Sequence, residues 1–181
     1  MLLTVIMSSG LGLAACASND PALWTASLAD SGDTTIPESQ KPFDEGQLQF
    51  AEGHYGLAID AFSKTVEGDP TNPEAWLGLA ASYDQTGRYD QADRAYAKVQ
   101  ELVGPTPSVL NNLGYSYLLR GQLDRSGETL MAAYRGDPQN PYILNNIDIL
   151  NARRVALGKP PLAIDGRRSS RRAYNIYWLM R

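Results

Sequence analysis

Gly53-His54-Tyr55-Gly56-Leu57-Ala58-Ile59-Asp60-Ala61-Phe62, Gly87-Arg88-Tyr89-Asp90-Gln91-Ala92-Asp93-Arg94-Ala95-Tyr96 and Gly121-Gln122-Leu123-Asp124-Arg125-Ser126-Gly127-Glu128-Thr129-Leu130 are one phrase written three times, 34 residues apart. After the glycine come Tyr55, Tyr89 and Leu123, then Ala58, Ala92 and Ser126, then Phe62, Tyr96 and Leu130. Steps of three and four residues between the small and large positions put them on one face of a helix. Each glycine falls between two helices, at a helix C-terminus that often needs positive φ. A helical pair of this length cannot bury its apolar face alone, so neighbouring units must stack.

Outward from the glycines, the units run 39–72, 73–106 and 107–140 with nothing left over between them. In the second, Trp76, Leu79 and Tyr83 make the apolar face of one helix, and Ala92, Tyr96 and Val99 that of its partner. Gly46, Ala80 and Gly114 form a further column of small residues that lets paired helices approach closely. Bulk in the small columns, as in Ala92→Phe, is expected to cost at least ~1–3 kcal/mol through overpacking. Asp69-Pro70 and Asp137-Pro138 close the first and third units, since proline cannot continue a helix, whereas the second ends at Gly104-Pro105. Pro42, Glu45 and Gln49 leave the first helix polar, as a terminal unit requires for solubility. A fourth unit starts in phase at Pro141 and then fails: Asp148 takes the small position, and Gly158-Lys159-Pro160-Pro161 stops the helix. This pattern resembles the tetratricopeptide repeat. The resemblance implies an all-α fold, a short right-handed superhelical solenoid of three helical hairpins with 141–157 as a C-terminal capping helix.

The 181 residues carry a net charge of −4, but unevenly. Residues 1–152 hold 8 Lys and Arg against 19 Asp and Glu, and residues 153–181 hold 8 against 1. One cysteine excludes an internal disulfide, and one histidine, His54 in an inter-helix turn, removes the usual zinc and imidazole-base arrangements. The carboxylates are expected to be solvated along the helices, with no apolar surroundings to shift a pKa, and no catalytic set is visible. A non-enzymatic protein without cofactor or metal is the expectation.

Residues 1–15 are apolar and small, and too short to span a bilayer as a helix. Leu13-Ala14-Ala15-Cys16 resembles the lipobox of bacterial lipoproteins, which implies cleavage before Cys16 and its acylation. No Lys or Arg precedes Lys41, a departure from the usual signal. Ala17 in place of an aspartate implies the outer membrane, on its periplasmic face, as the address. Residues 16–38 lack a helical period and are expected to form a flexible tether. Residues 158–181 make a basic and aromatic tail, in which Arg167, Arg168, Arg171, Arg172 and Trp178 could contact a partner or fold back on the acidic array. A periplasmic address makes nucleic acid an improbable partner.

Tetratricopeptide arrays bind through the concave surface lined by the first helix of each hairpin. The resemblance implies as inward positions Glu74, Leu77, Gly78, Ala81 and Asp84 in the second unit and Ser108, Asn111, Asn112, Tyr115 and Leu118 in the third. The capping helix adds Tyr142, Asn145, Asn146, Ile149 and Ala152. Leu110-Asn111-Asn112-Leu113 and Leu144-Asn145-Asn146-Ile147 are thus one phrase a repeat apart. Two uses are open to these amides: hydrogen bonds to the backbone of an extended peptide, resembling the asparagine ladder of some tetratricopeptide superhelices, or bonds to neighbouring helices and water. Asn111, Asn112, Tyr115, Tyr142, Asn145, Asn146 and Ile149 are the expected partner-binding residues. The inward positions of the second and third units carry no Lys or Arg, so the basic clamp that holds an acidic C-terminal tail in some family members is missing.

Cys16, the short array, Asn111–Gly121 (NNLGYSYLLRG) and Asp137–Ile147 (DPQNPYILNNI) together resemble the tetratricopeptide lipoproteins of Tad (Flp-type) pilus systems. That resemblance implies an outer-membrane scaffold that helps a secretin ring assemble. An adaptor in another envelope machine, for cell-wall synthesis or outer-membrane assembly, is the competing expectation.

Overall fold

A computed structural model describes residues 41–164. The segment 1–15, Cys16, the tether, and Arg167, Arg168, Arg171, Arg172 and Trp178 lie outside the described residues. Those described form seven helices: α1 (Lys41–Ala51), α2 (Tyr55–Gly68), α3 (Pro73–Gln85), α4 (Tyr89–Val103), α5 (Pro107–Leu119), α6 (Leu123–Gly136) and α7 (Pro141–Ala156). The expected three hairpins and solitary cap are all present.

The boundaries follow from local chemistry. Pro73, Pro107 and Pro141 open α3, α5 and α7, where a missing N–H is harmless. Ahead of each stands a polar cap, Asn72, Thr106 or Asn140, whose side chain accepts a backbone N–H of the first turn. Inside each hairpin the chain reverses on Gly53, Gly87 or Gly121, at φ of 79°, 72° and 73°. The next residue, His54, Arg88 or Gln122, donates its N–H back five residues to Gln49, Tyr83 or Tyr117 at 2.8–2.9 Å. Three identical turns of this Schellman type fix one hairpin angle three times.

The small columns pack as expected, with Ala58, Ala80, Ala92 and Ser126 fully buried. Phe62 of α2 is wedged between two glycines: a β-carbon on Gly46 would stand 2.7 Å from its ring, and one on Gly78 2.5 Å. Gly78 is therefore part of the stacking interface and does not face inward, a correction to its expected place. Leu118 is likewise buried in the core.

The buried apolar residues fall into three clusters, with Trp76 and Tyr83 packed on both of the first two and Leu113 of α5 on the second. One cluster joins α2 to α3 around Phe62 and Leu79, a second joins α3 to α4 around Ala92 and Tyr96, and a third joins α5, α6 and α7 around Leu130, Ile143 and Leu150. α4 and α5 touch far less than the equivalent α2 and α3. This junction is where the linker departs from its neighbours, Val103-Gly104-Pro105-Thr106 replacing Asp-Pro-x-Asn.

Residues 158–164 belong to the folded array, although the sequence assigned them to the tail. Gly158, at φ 71°, turns the chain as the other three glycines do, with Lys159 N–H bonded to Arg154 O at 2.9 Å. Among the described residues no second helix follows. The Asn151 side chain grips the Leu162 backbone at both its N–H (2.7 Å) and its carbonyl (3.3 Å), while Arg154 and Lys159 each meet Asp124 at 2.9 Å. Leu162 and Ile164 pack on the third cluster, so this strap covers the face that a second helix would have covered.

Candidate binding groove

The first helices of the second and third hairpins and of the cap line a groove of about 470 Å³. Its walls include Glu74, Leu77 and Ala81 from α3, Asn111, Asn112 and Tyr115 from α5, and Tyr142, Ile143 and Asn146 from α7. Where α4 and α5 part, Val99, Val103 and Val109 extend it between the repeats, and Phe50 stands at the N-terminal end. Val103 is 42% exposed, an apolar side chain left without a covering helix. The lining contains no Lys or Arg.

Five of the seven residues expected to bind a partner meet here: Asn111, Asn112, Tyr115, Tyr142 and Asn146. Asn145 is exposed away from the groove, and Ile149 packs against the third apolar cluster. The amides do not stack as two free pairs. Asn146 Nδ2 donates to Asn111 Oδ1 at 2.9 Å, deep in the wall, while Asn112 Nδ2 donates to the Ser108 carbonyl of its own helix at 2.9 Å. The oxygen of Asn146, on a residue only 1% exposed, accepts no hydrogen bond among the described residues.

Beneath the groove lies a polar network that overturns the expectation of uniformly solvated carboxylates. Asp84, 4% exposed, accepts from Ser116 Oγ at 2.7 Å and from Tyr96 OH at 2.9 Å. Arg120 donates to Ser116 Oγ at 2.8 Å and pairs with Asp93 at 2.7 Å, its guanidinium 4.8 Å from the Tyr89 ring centre. Burial pushes the Asp84 carboxyl above the usual carboxylate range, against the pull of the Ser116 and Tyr96 hydroxyls and Arg120. Burial and the neighbouring Asp84 charge push the Tyr96 phenol well up. These side chains span α3, α4 and α5, so hydrogen bonds tie the junction at which α4 and α5 touch least. One signal was legible: the 34-residue column of Asp84 otherwise holds Phe50, Leu118 and Ala152, so an acid stands in an apolar register.

A tetratricopeptide repeat profile matches residues 49–111. The small glutamine-rich tetratricopeptide repeat-containing protein 2 of Mycosarcoma maydis is 24% identical over 111 residues, 61% of this chain and 32% of that protein. The chain thus spans about a third of that relative's length. Among solved structures, the Cut9–Hcn1 heterotetramer of the APC/C superposes with a TM-score of 0.61 at 21% identity, over 90% of this chain and 29% of the other. The first repeat domain of Spaghetti (RPAP3), bound to the HSP90 peptide SRMEEVD, gives 0.56 at 19% identity, covering 67% and 94%.

Proposed function

We propose that this tetratricopeptide array is a non-enzymatic docking module whose groove holds an extended segment of a partner protein. Tetratricopeptide domains are protein-interaction modules, and a groove crossing three first helices, with Leu77, Val103, Asn112 and Tyr115 accessible along it, is the observation that carries the reading here. A peptide backbone supplies N–H groups whatever its sequence, and Leu77, Val103 and Tyr115 offer apolar surface to its side chains. Without Lys or Arg, and with Glu74 in the wall, the groove disfavours an acidic peptide such as the one held by RPAP3.

The array works as a lipid-anchored scaffold on the periplasmic face of the outer membrane, assisting assembly of the secretin of a Tad (Flp-type) pilus. Support for this address and partner comes from the lipobox-like Leu13-Ala14-Ala15-Cys16, from Ala17, and from the NNLGYSYLLRG and DPQNPYILNNI phrases. A photo-crosslinker at Tyr142 in intact envelopes tests both levels. Capture of a secretin subunit is expected, with Cys16 labelled by palmitate. Capture of a cell-wall synthase or an outer-membrane assembly factor would reassign the machine, and a chain recovered unlabelled in the soluble fraction would remove the anchor.

A further inference from the structure

We propose that the groove has a competitor within its own chain: Ala173-Tyr174-Asn175-Ile176-Tyr177-Trp178-Leu179-Met180-Arg181 occupies it in cis, and a partner must displace it. The proposal rests on the groove being a docking site, and concerns how that site is regulated. Three observations point to this occupant.

The first is charge. Residues 41–164 carry 11 Lys and Arg against 15 Asp and Glu, whereas residues 165–181 carry 5 against 1. The acidic array and the basic segment attract, and the groove contains no basic residue to oppose the approach. The second is side-chain chemistry. Leu77, Val103 and Tyr115 offer apolar surface beside Glu74, a surface suited to aromatic and aliphatic side chains with an arginine close by. Tyr174, Ile176, Tyr177, Trp178 and Leu179 followed by Arg181 have that composition.

The third is where the segment is rooted. Asn151, Arg154 and Lys159 pin the strap that precedes it. Ile164 packs on the third apolar cluster, which α7 shares with α5 and α6. Ten residues from Ile164 to Tyr174 reach at most ~33–36 Å. Packed helices lie only ~8–10 Å apart, so the span from α7 across α5 to α3 is within range. Tethering within one chain also sets an effective concentration on the order of millimolar, so even a weak intrinsic contact is populated.

The test uses the full chain. With Tyr115 replaced by p-benzoylphenylalanine, equal amounts of ¹⁵N-labelled and unlabelled protein are mixed, irradiated and mapped by mass spectrometry. Crosslinks from position 115 to residues 173–181 within one isotopic species are expected. A fluorescein-labelled peptide of residues 166–181 is then titrated into the wild type and into the Ile176→Asp/Trp178→Ala variant. If a tenth of the wild type is open, the variant binds about ten-fold more tightly, and Leu77→Glu abolishes binding to both. Mixed-isotope crosslinks would assign the groove to a second copy's tail, and crosslinks confined to other segments would overturn the proposal. Equal, saturable binding to wild type and variant would also overturn it while leaving the groove as a docking site. Loss of peptide binding to both chains, with no protein captured from Tyr142, would remove the docking reading as well.

Discussion

Asn146 Nδ2 donates to Asn111 Oδ1 at 2.9 Å across the boundary between the third hairpin and the cap. The two residues are not equivalents in the repeated phrase, since 34 residues separate Asn111 from Asn145 and Asn112 from Asn146. The copies therefore bond diagonally. One amide of each copy enters the wall, leaving Asn112 half-buried at the groove surface and Asn145 exposed.

This pair should be energetically coupled. Asn111→Ala and Asn146→Ala each strand a buried amide group and are expected to cost ~1–3 kcal/mol. The double variant should cost less than the sum, because no partner is then left unmet. Urea denaturation of the four proteins measures the coupling, and strict additivity would deny it. Asn112→Ala, at the surface, should stay within ~0.5 kcal/mol of wild type.

Gly78→Ala tests the wedge of Phe62. Alanine is favoured over glycine in a helix by ~1 kcal/mol, but the new β-carbon would lie 2.5 Å from the Phe62 ring. A net loss of ~1–3 kcal/mol is expected from overpacking. Gly56→Ala meets nothing within 4 Å and should instead stabilise, by up to ~1 kcal/mol. Thermal melts giving both variants the same sign would contradict the packing described.

Asp84 should make stability depend on pH in an unusual direction. Because burial raises its pKa above 3.8, the native state holds the proton more tightly than the unfolded chain. Its contribution is full below pH 3.8 and is lost as pH rises through the raised native value. The stability of wild type relative to Asp84→Asn should therefore decline with rising pH across that window and then level off. Denaturation at a series of pH values reads this difference. A difference that grew with pH would mean that Arg120, Ser116 and Tyr96 outweigh burial.

The strap should matter although it lacks a helix. Asn151→Ala removes two hydrogen bonds to the Leu162 backbone and should cost ~1–3 kcal/mol. Hydrogen exchange should show the Leu162 amide losing protection while the hairpin of α3 and α4 keeps its own. Unchanged protection at Leu162 would mean that packing on the third cluster holds the strap unaided.

Much of the array was legible because its signals are local and repeated. A glycine at positive φ, a proline at the first helical position and a polar residue before it each act within a few residues, and the period writes them several times. The small columns were legible for the same reason: Gly46, Ala80 and Gly114 share one register. Asp84 was not read as buried, because its burial depends on Ser116 and Arg120, 32 and 36 residues away, reaching it from the next repeat. The strap escaped notice because Gly158-Lys159-Pro160-Pro161 does end a helix, and only packing decides whether the chain beyond it leaves or returns.

By itself the sequence determined three hairpins and a cap, their boundaries, the turn geometry, and five residues that share one groove. Tertiary structure alone decided which amides face each other, which carboxylate is buried, and where the stack opens between α4 and α5. The division has a physical cause. Periodicity specifies which face of each helix is apolar, but the pairing of individual polar groups depends on ångström-scale distances between helices that are far apart in the chain.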